Sequence, residues 1–147
     1  MKKKILVTRK LLPENEEKLR ELFDVKLNNK DELYTSEKIL DLSKDCDGIL
    51  SAITDQITKD LIEKISPTVK IIANFAVGFG NIDVDAATKK NIVVTNTPEV
   101  LDDSTADISI LLLLGASRKV LEARRAAELQ NWKWSADFML GKQMSNK

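Results

Sequence analysis

The chain has 147 residues and carries 23 Lys and Arg against 23 Asp and Glu, so it has neither the broad basic field of a nucleic-acid-binding domain nor that of an acidic solvating tail. Its 43% hydrophobic and 31% charged residues make an ordinary globular composition, long enough to bury roughly two-thirds of the unfolded surface. It contains no histidine and one cysteine, which excludes a His-based triad, a His proton donor, a His-containing zinc site, an intramolecular disulfide and a multi-cysteine metal centre.

Met1-Lys2-Lys3-Lys4 imitates the basic start of an export signal, but only Ile5, Leu6 and Val7 precede Thr8, where a signal needs about 7 to 15 apolar residues. Lys4 to Thr8 is instead predicted as a first strand. Pro13 opens a helix with Leu19, Leu22 and Phe23 on one face and Glu14, Glu16 and Glu17 near its N-terminus, where the macrodipole favours them. Asp24 to Leu27 is a weaker second strand, and Ser36 is the expected N-cap of a helix striped by Ile39, Leu40 and Leu42. Cys46 to Ile53 follows as a third strand, with Cys46 itself read as a small buried apolar residue. Leu61, Ile62 and Ile65 mark a third helix that stops before Pro67.

Val69 to Phe75 is mostly apolar, as a strand buried on both faces should be. Val77 to Asp83 reads as a loop, Val84 to Lys89 as a short helix and Ile92 to Thr95 as a fifth strand. This alternation predicts an α/β fold with a parallel sheet of about five strands and flanking helices. From Asp102 the pattern changes to one long helix running through Ala127, on the order of 40 Å in length, which outruns its own domain and so packs on something else. A segment containing Trp132, Trp134, Phe138, Met139 and Leu140 follows it. The longest apolar run, Ile108 to Leu114, is broken by Ser109 and is far below the roughly 18 residues of a membrane span, so a cytoplasmic protein with no membrane partner is expected.

Gly78-Phe79-Gly80 follows a strand and precedes a helix, as a dinucleotide fingerprint does, but Asp83 stands where the third glycine belongs. Two readings remain open for this loop: a structural turn, or a site where exposed backbone amides receive an anion. Asp55, just after the third strand, resembles in outline the acceptor of a phosphoreceiver domain. Thr8, Arg9 and Lys10, however, stand where such a site needs metal-binding carboxylates. Asp102-Asp103-Ser104-Thr105 reads first as helix capping and second as a phosphate contact. Ile110 to Leu114 is either core or subunit interface. Arg118, Lys119, Arg124 and Arg125 are interleaved with Glu122 and Glu128, a solvated helix face, and no nucleic-acid partner is expected.

Several segments in register resemble the D-isomer-specific 2-hydroxyacid dehydrogenases, nearest to the glyoxylate and hydroxypyruvate reductases. They are Lys4 to Thr8, Cys46 to Leu50, Ala76 to Asp83 and Asn96 to Asp107, with Trp132 and Leu140-Gly141-Lys142 fitting as well. The resemblance implies a flavodoxin-like substrate-binding domain over residues 1–100, followed over 101–147 by an interdomain and dimerisation helix and arm. It further implies that the backbone amides of Val77 and Gly78 hold the carboxylate of a small 2-oxo acid, with Val77 and Thr105 beside the cofactor. Trp134 is implied to reach the partner subunit's substrate site in a homodimer.

The family's complete glycine fingerprint, catalytic Arg and Glu, and acid-base His have no counterparts in these residues. No catalytic residue and no metal ligand is therefore assigned. The implied identity is the N-terminal portion of an NAD(P)-dependent enzyme, inactive alone, whose NAD or NADP is bound by the full-length parent and not tightly by this chain. The alternative is a non-enzymatic dimerisation or carboxylate-binding module derived from the same fold.

Overall fold

In the computed structural model, residues 1–130 and 132–145 are described, and the chain divides into two units, Met1–Val100 and Leu101–Lys147. The first unit runs β1 (Lys4–Val7), α1 (Pro13–Leu22), β2 (Asp24–Lys26), α2 (Ser36–Leu42), β3 (Gly48–Ala52), α3 (Lys59–Lys64), β4 (Ile71–Phe75), α4 (Val84–Lys89) and β5 (Val93–Thr95). Every strand pair is parallel and the sheet order is β2-β1-β3-β4-β5, the flavodoxin-like arrangement.

Register decides which side chains make the core. Leu6 lies beside Ile49, Ile49 beside Ile72 and Ile72 beside Val94, so these residues share one sheet face. That face is covered by Ile39 of α2, Leu61 and Ile62 of α3 and Ala86 and Ala87 of α4, all in one cluster with Cys46. Burial pushes the Cys46 thiol pKa up, as suits an inert core cysteine. Lys90 ties two of the helices together by donating to the carbonyls of Ile62, Glu63 and Ile65 at the end of α3.

The other face is only partly covered. Leu19 and Phe23 of the α1 region line a groove of about 380 Å³ with Ile5, Leu50, Ile71 and Ala73, while Phe75 and Val93 are more than half exposed. β4 is thus buried on one face, not on both as its composition predicted. The predicted stripe of α1 also differs: Leu22 is exposed and Glu16 is buried, because the Glu16 carboxylate accepts from the Leu11 N–H and pairs with Arg20. The N-cap of α2 is Thr35, whose hydroxyl accepts from Lys38 N at 3.3 Å, and Ser36 is the first helical residue.

In the second unit the long helix is present as α5 (Asp102–Ser117), and a separate α6 (Val120–Leu129) follows where one continuous helix was predicted. The break has a local cause. Lys119 takes a left-handed conformation at φ 52, and Arg118 N and Lys119 N close on Leu114 O and Ala116 O. Lys142 N then donates to Ser117 O at 2.7 Å, an approach that requires the bare Cα of Gly141, since a Cβ there would lie 2.6 Å from the same carbonyl. The capping reading of the Asp102 to Thr105 segment is also corrected. The N-cap is Leu101 with no side-chain bond; Ser104 donates to Leu101 O, and Asp102 and Asp103 occupy the first turn, where they suit the dipole. No described helix is long and apolar enough to cross a membrane.

Asp45 links the exposed edge of the sheet, accepting from Lys26 of β2 and from Lys4 of β1. The Lys26 ammonium, with Lys4 second, holds its carboxyl well below the usual carboxylate range. A depressed folded pKa gives stability that is present above the ordinary carboxylate value and is lost as pH falls toward the folded one. Asp45→Asn is therefore expected to lower the melting temperature at neutral pH and to flatten its fall below about pH 4. Thermal melts across pH at low salt check this, and the difference from wild type should shrink at high salt, because the pair is exposed. Parallel pH profiles for the two proteins would overturn it.

Candidate functional site

The loop after β4 stands at the carboxyl end of the sheet, where ligands of open parallel sheets bind. Its residues Val77, Gly78, Phe79 and Gly80 are all exposed. Four successive carbonyls, Ala76 to Phe79, are hydrogen-bonded, the first three to β4 and the segment after β5 and the fourth within the loop itself. Ala76 O accepts from Thr97 N at 2.9 Å, Val77 O from Asn96 Nδ2 at 2.7 Å, Gly78 O from Asn74 Nδ2 at 2.9 Å and Phe79 O from Ile82 N at 3.0 Å. In a trans peptide the carbonyl and the following N–H point in opposite directions, so the first three ties turn the N–H groups of Val77, Gly78 and Phe79 away from the scaffold, and the fourth fixes the peptide that carries the Gly80 N–H. Among the described residues none of the four donates a hydrogen bond within the chain. A Cβ built at Gly78 or Gly80 meets nothing within 4 Å, and neither glycine has positive φ.

Behind the loop lies a buried polar network. Asn74, 2% exposed, accepts from the Ser51 hydroxyl at 3.1 Å and donates to Asn81 Oδ1 at 3.0 Å as well as to Gly78 O. Asn81 in turn donates to Ala52 O at 3.1 Å and Asp55 O at 2.9 Å. Asp55 is 1% exposed; its Oδ2 accepts from the Thr8 hydroxyl and from Ala52 N, and its Oδ1 has no partner. The phosphoacceptor reading fails on this placement, because the carboxylate faces the interior. Arg9, a cation at the same end of the sheet, is held by Asp31 in a two-pronged contact at 2.8 and 2.9 Å and by the Thr54 hydroxyl. The guanidinium, with the Lys10 N–H second, holds the Asp31 carboxyl well below its ordinary range.

Of the sequence-assigned residues, Val77 and Gly78 are neighbours in this loop. Thr105 lies exposed in α5, and Trp134 is 84% exposed in the segment after α6; both belong to the second unit. Trp132 stacks on Phe138 with ring centroids 6.2 Å apart. Asn74 and Asn81 were not singled out from sequence. The available signal was polarity: each is an uncharged polar residue in or beside an apolar strand end, where burial demands a full set of partners. Among the described residues no group of three or more Cys, Asp or Glu side chains converges on one point.

A family model for the catalytic domain of D-isomer specific 2-hydroxyacid dehydrogenases matches residues 5–144. The chain belongs to that family. Among curated relatives, a glyoxylate reductase of Korarchaeum cryptofilum is 43% identical over 144 residues, covering 96% of this chain and 43% of the relative. One of Pyrococcus furiosus is 36% identical, covering 100% and 45%. Among solved structures, a D-isomer-specific 2-hydroxyacid dehydrogenase of a Polaromonas species described as NAD-binding superposes with a TM-score of 0.85 at 33% identity, covering 99% of this chain and 46% of that one. An NADPH-dependent glyoxylate/hydroxypyruvate reductase of Sinorhizobium meliloti, solved with NADP and malonate, gives a TM-score of 0.74 at 32% identity, covering 90% and 40%. The chain thus spans less than half the length of these dehydrogenases.

Proposed function

We propose that this chain supplies the carboxylate-binding part of an NAD(P)-dependent D-2-hydroxyacid dehydrogenase that reduces a small 2-oxo acid such as glyoxylate or hydroxypyruvate. The observation that carries this reading is the row of outward N–H groups at Val77, Gly78 and Phe79. A carboxylate only accepts hydrogen bonds, and a set of fixed backbone donors satisfies it without a buried cation. The exposed Cα of Gly78 leaves room for a small acid to approach those donors. In this reading residues 1–100 are the substrate-binding domain and 101–147 the interdomain and dimerisation helix and arm. Thr105 and Val77 lie near the cofactor, and Trp134 extends toward a partner subunit.

The glycine loop does not fit the pyrophosphate of a dinucleotide. Asp83 occupies the third fingerprint position, and its carboxylate already caps α4 by accepting from Ala86 N at 2.9 Å, which puts negative charge where the phosphate would sit. The pyridine nucleotide is accordingly assigned to the length of the relatives that this chain does not match. So is the acid that protonates the substrate oxygen, since the chain has no histidine. What the present residues do is bind the carboxylate and fix its orientation.

The test joins this chain in frame to the unmatched part of the Korarchaeum cryptofilum glyoxylate reductase and follows NADH and NADPH oxidation. Turnover of glyoxylate or hydroxypyruvate by the chimaera, with none from the 147-residue chain alone, is expected. A folded chimaera inert toward both acids, beside an active parent, would overturn the proposal.

A further inference from the structure

We infer that Asn74 and Asn96 are positioning residues of the carboxylate site: each clamps one carbonyl of the loop and so aims the following N–H at the ligand. The inference rests on the function proposed above, and it concerns two side chains that do not face the ligand themselves. Asn96 Nδ2 holds Val77 O, which orients the Gly78 N–H; Asn74 Nδ2 holds Gly78 O, which orients the Phe79 N–H. The third clamp, Thr97 N on Ala76 O, is backbone and comes with the end of β5.

Asn74 cannot turn its amide over. Its Oδ1 receives the Ser51 hydroxyl, and its two N–H groups are used on Gly78 O and Asn81 Oδ1. A flip would set its oxygen against two other oxygens. Asn81 is fixed in the same way, because its amide donates to Ala52 O at the end of β3 and to Asp55 O in the loop that follows. The orientation of the Phe79 N–H is therefore set through two interlocked amides anchored on a different strand, which gives a preorganised donor without help from the ligand. Asn96 is half-buried at the end of β5 and serves one carbonyl only, so it can be changed without disturbing that network.

The decisive experiment is an amide-resolved NMR titration of the 147-residue chain with oxamate, an unreactive analogue of glyoxylate. Saturable shifts at Val77, Gly78 and Phe79 are expected in the wild type. Asn96→Leu, neutral and similar in volume, is expected to weaken binding about tenfold at unchanged melting temperature, and Asn96→Gln, which keeps the donor, to restore most of it. Asn74→Leu should do the same to the Phe79 signal where the variant remains folded. Wild-type binding that is equal in Asn96→Leu would overturn the inference and leave the site intact. Shifts that avoid residues 77 to 79 in the wild type would overturn the site reading, and this inference with it. A purely structural role for Asn96 would lower the melting temperature without the selective loss and without rescue by Gln.

Discussion

Ile72→Ala is expected to lower the unfolding free energy by about 2 to 5 kcal/mol. Ile72 is fully buried at the middle of the sheet, flanked by Ile49 on β3 and Val94 on β5 and covered from above by α3 and α4. Truncation removes three methyl or methylene groups and leaves a cavity that two paired strands cannot collapse to fill. Val93→Ala, one residue away in register from the same neighbours but more than half exposed on the opposite face, should cost within about 0.5 kcal/mol beyond its propensity effect. Urea unfolding at constant m-value checks both. Equal losses at the two positions would mean that the sheet is covered on both faces, contrary to the exposed Phe75 and Val93 and the groove along Ile71 and Ala73.

The same asymmetry shows what could be read from the chain and what could not. Period and β-branching placed all five strands and the short helices, and α4 begins and ends where Val84 and Lys89 were expected. Composition could not show that β4 is covered on one side, because coverage depends on what packs above it. Glu16 is buried although the apolar stripe did not include it, since its carboxylate beside the Leu11 N–H gains a bond that composition does not show, while Leu22, assigned to the stripe, is exposed. The break at Lys119 was equally hidden: no proline or glycine stands there, and the left-handed turn is made by a lysine, a residue type that ordinarily continues a helix. Val77 and Gly78 were legible as a loop with accessible amides. The clamps behind them were not, because Asn96 reaches Val77 across nineteen residues, and Asn74, though four residues from Gly78, is held in its orientation by Ser51 of β3.

The proposed dimerisation role of α5 predicts that Leu111→Glu combined with Leu112→Glu gives a monomer where the wild-type chain dimerises, read by sedimentation at high micromolar concentration with unchanged helical circular dichroism. Ile108, Ile110, Leu111, Leu112, Leu113 and Leu114 are between 47% and 66% exposed, and no residue of α5 is buried. At about 100° per residue five consecutive apolar side chains encircle the helix, so no single surface can cover them. Ile108, Leu111 and Leu112 form one stripe at i, i+3, i+4 spacing, and Ile110, Leu113 and Leu114 form another. In a two-fold dimer each substitution acts twice, so four leucines leave the interface; at about 1.5 kcal/mol or more each, the dissociation constant rises by several powers of ten. The paired substitution Ile110→Glu with Leu113→Glu separates the stripes: the one whose loss dissociates the dimer is the subunit contact, and the other is left to a different apolar surface. A wild-type chain that sediments as a monomer, or a dimer unaffected by both pairs, would remove α5 from the subunit interface and leave a continuous apolar helix exposed to aggregation.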